Sequence, residues 1–170
     1  MKLSVLLADK GTQNPQAGTL NLLNAGWVQT QLRPAPPMMP GLPGGLITPP
    51  HAIAVFFEVE YNQCNRPIEL VLELLNEDGR PVEIPGPAGP QQLRITQQVT
   101  IPSPGGVSLA TPGNGNAMVE IFPGLPLAPG TYRWQATLDG ESPDESSLAA
   151  FRVVPPAQPP VVAFGGTSSA

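Results

Sequence analysis

A chain of 170 residues with 41% apolar side chains is long enough for one ordinary domain with its own core. Charged residues make up only 12%, and 13 acidic against 8 basic side chains leave a net charge of −5. The basic residues form no stripe and the aromatics are not interleaved with them, so the footprint of a nucleic-acid binder is missing.

The 24 prolines and 18 glycines approach a low-complexity composition. They sit between alternating apolar runs rather than inside them, where turns and sheet edges place them. An ordered all-β domain with Pro-rich loops is the reading that follows. The lone Cys64 has no partner for an internal disulfide, which favours a reducing compartment. No stretch reaches the roughly 18 apolar residues of a membrane helix, so a cytoplasmic protein without a membrane span is expected.

In chain order, Leu3, Val5 and Leu7 alternate with polar neighbours and predict a first strand. Its apolar start is cut short by Asp9 and Lys10, which argues against a signal peptide. Residues 10–18 read as a polar turn. Residues 19–30 read as one strand whose parity slips beside Gly26, as at a β-bulge, with Trp27 in the core. Residues 33–50 hold seven prolines and three glycines, and no helix or ladder is expected there. This long loop carries almost no charge and holds Met38, Met39, Leu42, Leu46 and Ile47. It either covers a sheet of its own domain or docks on another chain.

The stretch 51–82 predicts a β-hairpin. Ile53, Val55, Phe57, Val59 and Tyr61 share one face, and Ile68, Leu70, Leu72 and Leu74 repeat the pattern after a break. Glu58, Glu60, Glu69 and Glu73 take the other face, and Asn76 to Gly79 form the following turn. Residues 84–90 are a rigid connection. Leu93, Ile95, Val99 and Ile101 predict a strand, residues 102–116 a loop, and residues 117–122 a short strand. Tyr132, Trp134, Ala136 and Leu138 alternate along the next strand, and Phe151 and Val153 mark the last. Residues 155–170 form an extended Pro-rich C-terminal arm that carries Val161, Val162 and Phe164. An apolar tetrad on a stiff spacer either folds back or adds to a neighbouring subunit. The domain proper spans 1–154.

No constellation of residues reads as an active site. His51 is the only histidine and is expected at an exposed strand end. Cys64 lacks a setting that would activate a thiolate beyond nearby Arg66. Asp139, Glu141, Asp144 and Glu145 do not follow the spacing of a calcium loop, and solvated loop charges explain them. The four glutamates could pair for glycoside chemistry, but a solvated sheet face explains them equally. No cofactor and no metal are expected.

The segment Leu-Ala-Pro-Gly-Thr-Tyr-Arg-Trp at 127–134 resembles the tyrosine corner of immunoglobulin-like and fibronectin-like sandwiches. That resemblance implies a bond from the Tyr132 phenol to nearby backbone. Together with Leu-Leu-Ala-Asp at 6–9, Gly-Thr-Leu-Asn at 18–21, Asn-Ala-Gly-Trp at 24–27, Asn-Arg-Pro at 65–67 and the run at 72–82, it also resembles a domain-of-unknown-function family. That family consists of small bacterial and phage-encoded proteins. The resemblance implies a two-sheet antiparallel β-sandwich and transfers no catalytic residues.

The expected role is therefore non-enzymatic, a structural β-sandwich acting by protein–protein contact with a partner or with copies of itself. Its most concrete form is a phage virion decoration or accessory protein on a repeated lattice. It would be held there by the Met38–Met39 loop and the C-terminal arm. The alternative is a cytoplasmic module that binds a small ligand or carbohydrate on a sheet face through an exposed Trp27 or Trp134.

Overall fold

The computed structural model describes residues 1–14, 18–37, 45–86, 89–105, 111–141 and 145–157. In chain order the strands are β1 (Lys2–Ala8), β2 (Lys10–Asn14), β3 (Thr19–Leu23), β4 (Gln29–Gln31), β5 (Arg33–Pro34), β6 (Leu46–Ile47) and β7 (His51–Val59). They continue with β8 (Pro67–Asn76), β9 (Glu83–Gly86), β10 (Gly89–Gln92), β11 (Arg94–Thr100), β12 (Gly113–Ile121), β13 (Gly130–Leu138) and β14 (Leu148–Val154). The described chain is all-β, broken only by 3-10 turns at Tyr61–Gln63 and Glu145–Ser147.

Two sheets carry the core. One is three-stranded in the order β1-β7-β12, and the other five-stranded in the order β11-β8-β13-β14-β4. Neighbours are antiparallel except β4, which lies parallel to β14. Smaller pairs join β2 to β3, β5 to β6 and β9 to β10, and no sheet closes on itself among the described residues. One side-chain cluster draws on both large sheets. It takes Leu3, Val55 and Phe57 from one and Leu70, Leu72, Trp134 and Phe151 from the other. Removing these side chains from water is the main driving force for the fold, at about 25 cal/mol per Å² of apolar surface.

Size complementarity across β12 is visible at one position. Gly115 pairs with Phe57, and a Cβ there would fall 2.2 Å from the Phe57 ring, so the ring lies over the glycine.

Several sequence expectations need correction. Strands β7 and β8 are not a hairpin, because they lie in different sheets. The chain passes between the sheets through the 3-10 turn and Asn65, which adopts a left-handed φ of 58°. An apolar row facing the core has the same period whether its partner is beside it or opposite it, so alternation alone does not separate the two cases. Residues 10–18 contain β2 rather than only a turn, and β2 pairs with β3 from Lys10↔Leu23 to Asn14↔Thr19. Residues 19–30 are not one bulged strand. Asn24 and Gly26, with φ of 50° and 83°, turn the chain between β3 and β4. A short ladder, β5–β6, does persist in the Pro-rich region, and the stretch expected as a rigid connection contributes to the β9–β10 pair. Strand β12 begins at Gly113, four residues before the expected start.

The expected Tyr132 bond is present. Its hydroxyl donates to the Ala128 carbonyl at 2.9 Å, and its ring packs against Phe151 at 5.9 Å between centroids. Burial raises the Tyr132 pKa, and the bond to Ala128 partly offsets the rise.

Candidate functional site

The outer face of the three-stranded sheet consists of four rows fixed by register. From one end they are Lys2–Glu58–Asn114, Ser4–Phe56–Asn116, Leu6–Ala54–Met118 and Ala8–Ala52–Glu120. Small side chains occupy β7 in the last two rows, and Ala52 and Ala54 are fully buried although they face away from the core. The β2–β3 hairpin is what covers them. A Cβ on Gly11 would lie 2.2 Å from the Met118 sulfur and 3.6 Å from the Ala52 Cβ, so only glycine permits this approach without rearrangement. The hairpin is tethered where the rows change character. Asn116 Nδ2 donates to the Gly18 carbonyl at 2.7 Å, and Gln13 Nε2 donates to Asn116 Oδ1 at 3.3 Å.

Beyond that tether no described residue covers the face, which forms an open groove of about 440 Å³ among the described residues. Its floor is the half-buried Phe56, flanked by Ser4 and Asn114, with Gly18 at the hairpin end. Lys2 and Glu58 close one side with an ion pair of 3.1 Å. Ser146 stands at the β1 margin, where its hydroxyl donates to the Leu3 carbonyl. A second, smaller depression of about 270 Å³ involves Asp9, Lys10, Ala52, Glu120 and Phe122. Phe122 there is 83% exposed, while Val28 at 69% and Leu23 at 59% are the other strongly exposed large apolar side chains among the described residues.

His51 is not an exposed strand-end residue. It is 4% exposed because its parity on β7 matches Ile53 and Val55. Its ring packs edge-on against Trp27 at 5.6 Å, and Nδ1 lies 3.1 Å from the Pro49 carbonyl. That contact makes Nδ1–H the donor and leaves Nε2 as an acceptor without a hydrogen-bond partner. Burial depresses the His51 pKa, with the Pro49 contact opposing the shift.

The two indoles do not offer a sheet-face platform. Trp134 is fully buried, and half-buried Trp27 packs edge-on between His51 and Phe151. Cys64 is buried with its thiol 3.7 Å from the Glu60 carbonyl. The four glutamates do not assemble on one face, since Glu58 belongs to the three-stranded sheet and Glu69 and Glu73 to the five-stranded one.

Asp139 is not simply a solvated loop charge. It accepts from the Glu69 amide at 2.9 Å and pairs with Arg66 at 2.9 Å, tying the end of β13 to the start of β8. Asp144 lies outside the described residues. Among the described residues, no three His, Cys, Asp or Glu side chains gather as metal ligands.

Of the two described loop residues expected at an interface, Leu46 is exposed and Ile47 is fully buried. Met38, Met39, Leu42, Val161, Val162 and Phe164 lie outside the described residues. Sequence reasoning passed over Phe122 and the Phe56 groove. Their available signal was the unbroken apolar run 52–57, longer on both faces than a one-sided strand requires.

Neither protein-family models nor curated proteins give a match to this chain. No helix among the described residues is long and apolar enough to cross a membrane.

Proposed function

We propose that the chain is a non-enzymatic interaction module, built as an immunoglobulin-like β-sandwich and acting by protein–protein contact. Strand order supports the architecture. With β1, β7, β8, β11, β12, β13 and β14 lettered A, B, C, C′, E, F and G, the large sheets read A-B-E and C′-C-F-G, the second extended beyond G by the parallel β4. That order and the Tyr132 bond belong together in such domains, and Trp134 fills the core two residues after the corner, where antibody domains carry a cysteine.

The observation carrying the functional reading is the 83% exposure of Phe122. A phenyl ring left almost wholly in water gains most by being covered on association, and aromatics are enriched at the centres of protein interfaces. In its finer form the reading places the chain on a phage virion as a decoration or accessory protein on a repeated lattice. That form rests on the family resemblance, and capsid and tail genes flanking the coding sequence would support it.

Size-exclusion chromatography with light scattering tests the contact itself at about 0.1 mM protein. The full chain is expected to form a dimer or larger assembly, and Phe122→Ser to elute as a monomer. The chain cut after Val154 measures the contribution of the arm. Monomers throughout, with no partner recovered by pull-down on the purified protein, would overturn the reading.

A further inference from the structure

We propose that the groove over Phe56 is a binding site for a neutral oligosaccharide, separate from the contact surface at Phe122. A pyranose ring presents an apolar face of C–H groups and a rim of hydroxyls. The groove offers the matching arrangement. Phe56 supplies an aromatic floor at the centre of the sheet, and polar side chains stand on the strands to either side of it. The side chains of Ser4 and Asn114 have no hydrogen-bond partner among the described residues, so a hydroxyl donor and acceptor and a full side-chain amide are available to a ligand. Asn116, by contrast, is engaged by the hairpin through both ends of its amide and serves as a fixed wall. The volume of about 440 Å³ lies in the range of small-ligand sites.

Charge narrows the choice. Among the described residues the two ionised groups lining the groove, Lys2 and Glu58, neutralise each other at 3.1 Å. A chain of net charge −5 with no basic residue to spare at this place disfavours a polyanion. Backbone geometry argues against a peptide strand pairing on the floor of the groove. The floor strand β7 is paired on both sides, to β1 and to β12, so its amides and carbonyls already belong to the ladders. Strand addition requires an unpaired edge. An aromatic floor with unengaged hydroxyl and amide groups, and no free charge, is recognition chemistry for a sugar.

The test is a ¹⁵N NMR titration of the full chain with cellotetraose, xylotetraose, maltotetraose and chitotetraose, each to about 10 mM, which suffices to detect a Kd of about 1 mM. At least one sugar is expected to shift the amides of Ser4, Phe56, Asn114 and Asn116. Phe56→Ala should then weaken binding about tenfold or more, and Phe56→Trp should retain it. Asn114→Ala, at an exposed position that does not endanger folding, should weaken it by about threefold to tenfold. Phe122→Ser should bind as the parent does, which separates this site from the assembly surface. Unmoved groove resonances with every sugar would overturn the proposal. So would Phe56→Ala or Asn114→Ala binding as tightly as the parent.

Discussion

The two halves of one sheet face have opposite fates. Around Ala52 and Ala54 the three-stranded sheet is buried on both sides, by the core and by the β2–β3 hairpin. Around Ser4 and Phe56, in the next row along the same strands, the outer side is open among the described residues. The backbone pairing is the same in both halves, and side-chain size separates them. Alanines and a facing glycine let a second layer approach, whereas Phe56 and its polar neighbours leave room for a small molecule. Coverage of a sheet is thus set residue by residue rather than strand by strand.

The sharpest way to break this contrast is to place one charge in each half. Ala52→Glu buries a carboxylate between sheet and hairpin and is expected to destabilise by about 3–5 kcal/mol or prevent folding. Ser4→Glu in the open half should stay within about 0.5 kcal/mol. Urea unfolding of the two variants gives the comparison, and equal losses would mean that the hairpin does not seal its half. A milder probe is Gly11→Val, which adds bulk against the Met118 sulfur and Leu22. A loss of about 1–3 kcal/mol is expected, with faster amide exchange in β2 and β3 while β8 and β13 keep their protection.

Asn116→Ala cuts the tether at the border between the halves and should cost about 1 kcal/mol. Its signature is accelerated exchange near Gly18 with the core unchanged. The last effect is zero at neutral pH. His51, at the covered end of β7, has a native pKa held below its unfolded value near 6.5. The unfolded chain therefore binds more protons as pH falls below about 6.5, and stability declines from there through the lowered native pKa. Above 6.5 both states are neutral and the contribution is constant. His51→Gln should flatten this part of the stability profile, and an unchanged acid slope would show that the ring is not shielded from protonation in the fold.

How much of this was legible depended on whether a strand carried its own period. The inward rows of β1, β7, β8, β13 and β14 are plain in Leu3-Val5-Leu7, Ile53-Val55-Phe57, Ile68-Leu70-Leu72, Tyr132-Trp134-Ala136 and Phe151-Val153. Partnership was not legible, since β7 and β8 look alike whether adjacent or opposed. Strand β2 gave no signal because Lys10, Thr12, Gln13 and Asn14 are exposed and its one buried residue is a glycine. The groove was hidden for a related reason. Whether Phe56 is covered depends on where the hairpin stops, and that is decided by Asn116, about a hundred positions away in the chain. His51 was misplaced because its position beside Pro49 and Pro50 outweighed its parity with Ile53.

The hairpin is also closed at its root. The Asp9 amide donates to the Leu23 carbonyl at 3.0 Å, and Asn24 Nδ2 donates to Asp9 Oδ2 at 2.8 Å. Entry and exit therefore lie side by side, and β2 and β3 form a flap joined to the chain at this seam and tied to the sheet at Asn116, outside the cluster shared by the two large sheets. Such a flap can be lengthened, shortened or exchanged at that seam while the interior keeps its shape. The width of the groove beside it is then tuned by an appendage instead of by the scaffold.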